Sequence, residues 1–64
     1  MTGRQLVLAR MRAELSQVDL GRNLGYRGSR GTIRRMIRRY ETDWADKELP
    51  DRFQARLRDA GFIK

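Results

Sequence analysis

Cysteine and histidine are both absent from the 64 residues. Without cysteine there is neither a disulfide framework nor a thiolate metal site, and without histidine the commonest general base and metal ligand is missing. Apolar runs are short as well. None approaches the roughly 20 residues that a membrane-spanning helix needs, and the start of the chain lacks the apolar core of a secretory signal, so no membrane association is expected and the location is expected to be cytoplasmic. A chain of this size buries only about 60% of the surface its unfolded form exposes. An enzyme-sized pocket is therefore not expected, and stability has to come from apolar packing, helped by dimerisation. Asp43, Asp46, Glu48 and Asp51 are the nearest thing to a carboxylate cluster. Their irregular spacing and the lack of a glycine-bearing calcium loop make them a solvated acidic loop, so no metal, cofactor or catalytic group is expected.

Acid is also missing from one long window: none occurs between Asp19 and Glu41. The net charge of +7 lies there. Residues 1–21 carry Arg4, Arg10 and Arg12 against Glu14 and Asp19, and residues 40–64 carry five basic and six acidic side chains, so both flanks are nearly neutral. Residues 22–39 hold seven arginines. A merely solvated helix face intersperses signs and forms pairs four residues apart. Charge of one sign confined to 18 residues is instead the footprint of a surface that meets a polyanion.

The apolar and capping patterns predict an all-α, compact four-helix domain (range three to five) occupying residues 1–64. Thr2 and Gln5 form a capping box for a first helix from about Gly3 to Ala13, with Leu6, Ala9, Arg10 and Ala13 at helical spacing. Ser16 caps a short second helix, roughly Gln17 to Leu24, with Asp19 at the reciprocal position and Leu15 and Leu20 placed as a hydrophobic staple. Gly25 ends it. The polar, glycine-rich stretch from Tyr26 to Gly31 reads as a flexible turn. Either Ser29 or Thr32 caps the third helix, which accordingly begins at Arg30 or at Ile33. Its inward stripe is Ile33, Met36, Ile37 and Tyr40, and Arg34, Arg35, Arg38 and Arg39 cover the remaining face. Glu41 to Leu49 has no clear period. After Pro50 a fourth helix runs from about Asp51 to Ala60, with Phe53, Leu57 and Ala60 inward and Gly61 ending it ahead of Phe62 and Ile63. Trp44 is expected to fold back over the core rather than to meet a partner.

Three blocks carry a resemblance: Leu15-Ser16-Gln17-Val18-Asp19-Leu20, Leu24-Gly25, and Ile37-Arg38-Arg39-Tyr40-Glu41. Together, over about residues 3–50, they resemble the Cro/C1-type (XRE-like) helix-turn-helix regulators, whose pattern is Leu-Ser-Gln-x-x-Leu, then Leu-Gly, then Ile-x-x-Trp/Tyr-Glu. Two departures stand out. Gly21 replaces the family's usual alanine, and the spacing from Leu24-Gly25 to the last block is about six residues longer. The resemblance implies a domain of the lambda-repressor-like type in which Gln17 contacts the DNA backbone and outward residues early in the third helix read bases.

Arg30, Arg34, Arg35 and Arg38 are the base-reading candidates, since Arg35 and Arg38 lie opposite the Ile33–Ile37 stripe with Gly31 beside them. Gln17, Arg27, Ser29, Thr32 and Arg39 are the DNA-backbone candidates. Phe62 and Ile63 either cover the monomer's core or form a dimer seam, and the seam is the preferred reading. The expected function is that of a sequence-specific double-stranded-DNA-binding regulator, an autoregulatory repressor on an inverted repeat, binding as a homodimer. The resemblance implies a phage or mobile-element setting in a bacterial host, including regulators like anti-CRISPR-associated repressors and antitoxins. An RNA-binding protein with an arginine-rich helix is the alternative, and a membrane-surface amphipathic helix ranks below both.

Overall fold

Capping side chains set the starts of the first three helices in the computed structural model, which describes residues 1–63, and Pro50 precedes the fourth without a side-chain cap. The helices are α1 (Gly3–Arg12), α2 (Gln17–Asn23), α3 (Arg30–Asp43) and α4 (Asp51–Asp59), so the described residues form an all-α domain of four helices. Thr2 Oγ1 accepts from the Gln5 amide at 3.3 Å while Gln5 Oε1 accepts from the Thr2 amide at 2.8 Å, a complete capping box. Ser16 Oγ accepts from the Asp19 amide at 3.0 Å, but the reciprocal bond from Asp19 expected of a second box is not formed. Ser29 Oγ accepts from the Thr32 amide at 3.2 Å and donates to Thr32 Oγ1 at 2.9 Å. Ser29, not Thr32, is thus the cap, and α3 begins at Arg30.

The core is formed by Leu6, Val18, Leu20, Leu24, Ile33, Ile37, Leu49, Phe53 and Leu57. The predicted stripe of α3 faces it, with Ile33 and Ile37 buried and Met36 and Tyr40 half-buried. Ala60, expected on the inner face of α4, is instead its exposed C-cap, because the helix ends a residue earlier than its apolar spacing suggests. Leu49, in the stretch without period, is buried and its amide donates to Met1 O at 2.9 Å. The first amides of α1 have no partner in their own helix. Those of Gly3 and Arg4 donate to Trp44 O at 2.8 Å and Ala45 O at 3.2 Å, so α1 starts on the end of α3. Trp44 packs against the core, as expected.

The α2–α3 connection is shorter and tighter than its glycine content suggests, because Arg30 and Gly31 belong to α3. Gly25 takes the left-handed conformation, φ +89°, that turns the chain out of α2. Tyr26 is then clamped: its ring stacks on Phe53 at 6.2 Å, and the Arg56 guanidinium lies 4.4 Å above it while donating to Leu24 O at 3.0 Å. Burial raises the Tyr26 phenol above its ordinary 10.0, with the Arg56 charge working in the opposite direction. In this way α4 fixes the turn that leads into α3.

Gly21 lies where α2 crosses α3. A Cβ there would collide with Ile33 Cγ2 and stand 3.5 Å from Ile37 Cγ1. The lack of a side chain at Gly21 therefore permits a closer helix crossing. Ile33 is β-branched and held at χ1, so it yields little. Gly21→Ala is expected to destabilise by about 1–3 kcal/mol through overpacking, read as a fall in melting temperature of roughly 5–20 °C. An unchanged melt would show that the crossing adjusts freely.

Candidate nucleic-acid interface

The arginine face depends on a polar network beneath it. Glu41 follows Ile33 and Ile37 at intervals of four, so α3 turns its carboxylate inward, where only 6% of the side chain remains exposed. Arg10 Nε donates to Glu41 Oε2 at 2.7 Å, Arg10 Nη2 to Oε1 at 3.4 Å, and Gln17 Nε2 to Oε1 at 2.9 Å. Arg10 Nη1 also donates to Leu15 O at 3.0 Å. One buried acid thus ties α1, α2 and the loop between them to α3. Among the described residues no buried side-chain nitrogen or oxygen lacks a partner.

This network changes the reading of Gln17. Expected at the DNA backbone, its half-buried amide is committed to Glu41, so its first task is to hold α2 against α3. Sequence reasoning gives Glu41 no role, although its place on the apolar stripe calls for a partner. Arg10, spaced with Leu6 and Ala9, is that partner.

In the arginine window, on α2, the turn and the outer side of α3, the situation is reversed. Arg22, Arg27, Arg30, Arg34, Arg35 and Arg38 are all exposed, and among the described residues none has a carboxylate within 4.0 Å. Arg39 reaches Asp43 at 3.8 Å, an exposed pair of little energetic weight. By contrast, two cations of the first helix are partnered: Arg4 with Asp46 at 3.2 Å, and Arg10 as above. The acidic residues Asp43, Asp46 and Glu48 each face a single cation rather than one another.

No family model, curated protein or solved structure matches the chain. Its chemistry has to be read from its own geometry.

Of the base-reading candidates, Arg34, Arg35 and Arg38 come together with Gly31 around a hollow of about 280 Å3, and Arg30 stands outside it at the helix start. Thr32, Arg35 and Arg39 border a second depression of about 500 Å3, floored by Met36, Tyr40, Trp44 and Pro50. Arg35 belongs to both. Of the backbone candidates, Arg27 is exposed in the turn, Ser29 is engaged as the cap, and the Thr32 hydroxyl accepts from Ser29, which leaves its own proton free to donate. The structure therefore gathers Arg34, Arg35, Arg38, Arg39 and Thr32 on one helix and separates Gln17 from them.

Phe62 and Ile63 are half-buried against the monomer's own core. Their open side borders a groove of about 540 Å3 with Met1, Gln5, Leu8, Ala9 and Arg12. Next to it the outer face of α1 presents Leu8 and Met11, 56% and 62% exposed. None of these residues lies within the arginine window. No helix among the described residues is long and apolar enough to cross a membrane.

Proposed function

We propose that this protein binds double-stranded DNA in a sequence-specific manner through α3, and that it acts as a transcriptional repressor. The observation that carries the reading is the set of six exposed guanidiniums from Arg22 to Arg38 that have no carboxylate within 4.0 Å among the described residues, over a core in which no buried side-chain nitrogen or oxygen lacks a partner. Free guanidiniums on a rigid, convex helix suit a major groove about 12 Å wide, and their fork geometry suits both phosphates and guanine edges. Arg34, Arg35 and Arg38, with Arg30 at the helix start, read bases. Arg27, Thr32 and Arg39 hold phosphates, and Ser29 serves them by fixing the helix start.

RNA reading is disfavoured by the aromatic side chains. Recognition of single-stranded RNA relies on aromatic faces open to bases, whereas Tyr40 is stacked on Phe53 at 4.0 Å and Tyr26 lies under Arg56. A second copy of the chain docks on the groove of Leu8, Arg12, Phe62 and Ile63, outside the arginine window of residues 22–39, so that two α3 helices meet an inverted repeat. In this role the protein works in the cytoplasm of a bacterial or phage-infected cell, and the family resemblance of residues 3–50 points the same way.

Selection of bound sites from random duplex DNA at a stated salt concentration, followed by competition with RNA of equal length, tests this reading. An inverted repeat is expected, held at least about tenfold more tightly than the RNA competitor, with sedimentation of the complex showing two protein chains per duplex. Equal competition by RNA, or failure to enrich any sequence, would overturn it. A single chain on a single half-site would remove the dimer alone.

A further inference from the structure

Three glycines stand inside helices, and the fold accounts for two of them. A Cβ on Gly3 would lie 2.5 Å from Tyr40 O and 2.8 Å from the Trp44 carbonyl carbon, and one on Gly21 would strike Ile33. Gly31 is different. Nothing lies within 4 Å of the place its Cβ would occupy, its φ is not positive, and the residue is exposed. Glycine is a poor helix former, so Gly31, in the first turn of α3, carries a local cost, smaller than in a helix interior, that no contact within the chain requires.

Beside it stand three donors. Arg34, Arg35 and Arg38 follow Gly31 at intervals of three, four and seven, which puts all four on one face, where they line an open hollow of about 280 Å3. With no side chain at Gly31, the N-terminal end of this face is the place where an external surface can come closest to the α3 backbone.

Resting on the DNA-binding reading, we infer that Gly31 is the closest-approach point of α3 to the major-groove floor, forming with Arg34, Arg35 and Arg38 a subsite for the O6/N7 acceptor edge of guanine. Phosphate is the other acceptor this chemistry would take. Phosphates stand on the rim of the groove, where long arginines reach them without any recess in the helix. Base edges lie at the bottom of a groove about 8.5 Å deep, and reaching them favours a helix whose backbone can sink in. The hollow serves depth, and depth serves base reading.

Gly31→Ala and Gly31→Leu, compared with the unaltered chain on the selected duplex and on a scrambled duplex of the same composition, test the inference. The melting temperature of Gly31→Ala is expected to stay level or rise by a few degrees, since alanine favours the helix and meets no neighbour. The preference for the selected over the scrambled duplex is expected to fall about tenfold with alanine and further with leucine, while affinity for the scrambled duplex stays within about twofold. Equal losses on both duplexes would place Gly31 at the phosphates and overturn the inference. An unchanged preference overturns it too, leaving the DNA-binding reading intact, and so does a lowered melting temperature, which would mean the fold needs the glycine. If the unaltered chain prefers no duplex, the DNA-binding reading fails and the subsite with it.

Discussion

Glu41→Ala is expected to lower stability by about 3–5 kcal/mol, because it leaves the Arg10 guanidinium, only 18% exposed, without its counter-charge. Gln17 loses its partner in the same change. A domain this small has a total stability near the lower end of the usual range of about 5–15 kcal/mol, so the variant is expected to be partly unfolded at room temperature. Arg10→Ala carries a similar cost for the opposite reason, since it strands a carboxylate nearer the core. The double replacement Arg10→Met with Glu41→Leu is expected to restore most of the stability, because removing a buried pair altogether avoids the desolvation that breaking it exposes. Urea titration followed by circular dichroism measures all three. Losses below about 1 kcal/mol in both single variants would mean that water replaces the network and that packing alone holds α1 and α2 to α3.

The reason this network escapes sequence reading is its span. Thr2, Ser16, Ser29 and Gly25 act within three or four residues of themselves, so their roles are written locally, and the structure uses each one at a helix end. Arg10 and Glu41 are 31 residues apart, and nothing near either names the other. A clue is nevertheless present: Ile33, Ile37 and Glu41 share one face of α3, and an acid on an apolar stripe requires a cation from elsewhere. The same holds for Gly21 against Ile33 and for Arg56 over Tyr26, both of which depend on how helices cross. The arginine face is legible for the converse reason. Its defining property is the absence of acids from residues 22–39, which is a local feature of composition and shows in the sequence directly. Only the register is hidden, and it follows from which hydroxyl caps α3, a choice between Ser29 and Thr32 made by the turn that Tyr26 and Arg56 hold in place.

Replacing Arg35 and Arg38 together by lysine is expected to separate the two kinds of interaction proposed for α3. The charge stays at +7, so attraction to phosphates persists and the slope of log affinity against log salt should change little. Lysine, however, is a point charge without the planar fork that matches guanine O6 and N7. Each bidentate base pairing is worth about 1–3 kcal/mol of discrimination, so the double variant should fall roughly 30- to 25,000-fold in its preference for the selected site over a scrambled one. Arg27→Gln with Arg39→Gln should behave in the opposite way. Affinity falls on every duplex alike, and the salt slope becomes shallower by about 0.9 for each phosphate that is no longer neutralised. Arg39 is the more informative of that pair, because its loose approach to Asp43 at 3.8 Å has to open before a phosphate takes its place. Fluorescence anisotropy on both duplexes at several salt concentrations distinguishes the patterns. If lysine at 35 and 38 preserves the preference, or if both double variants lower affinity uniformly and flatten the salt slope alike, the arginines of α3 act only as charges. Sequence choice would then have to come from the shape of the DNA that so cationic a helix can enter.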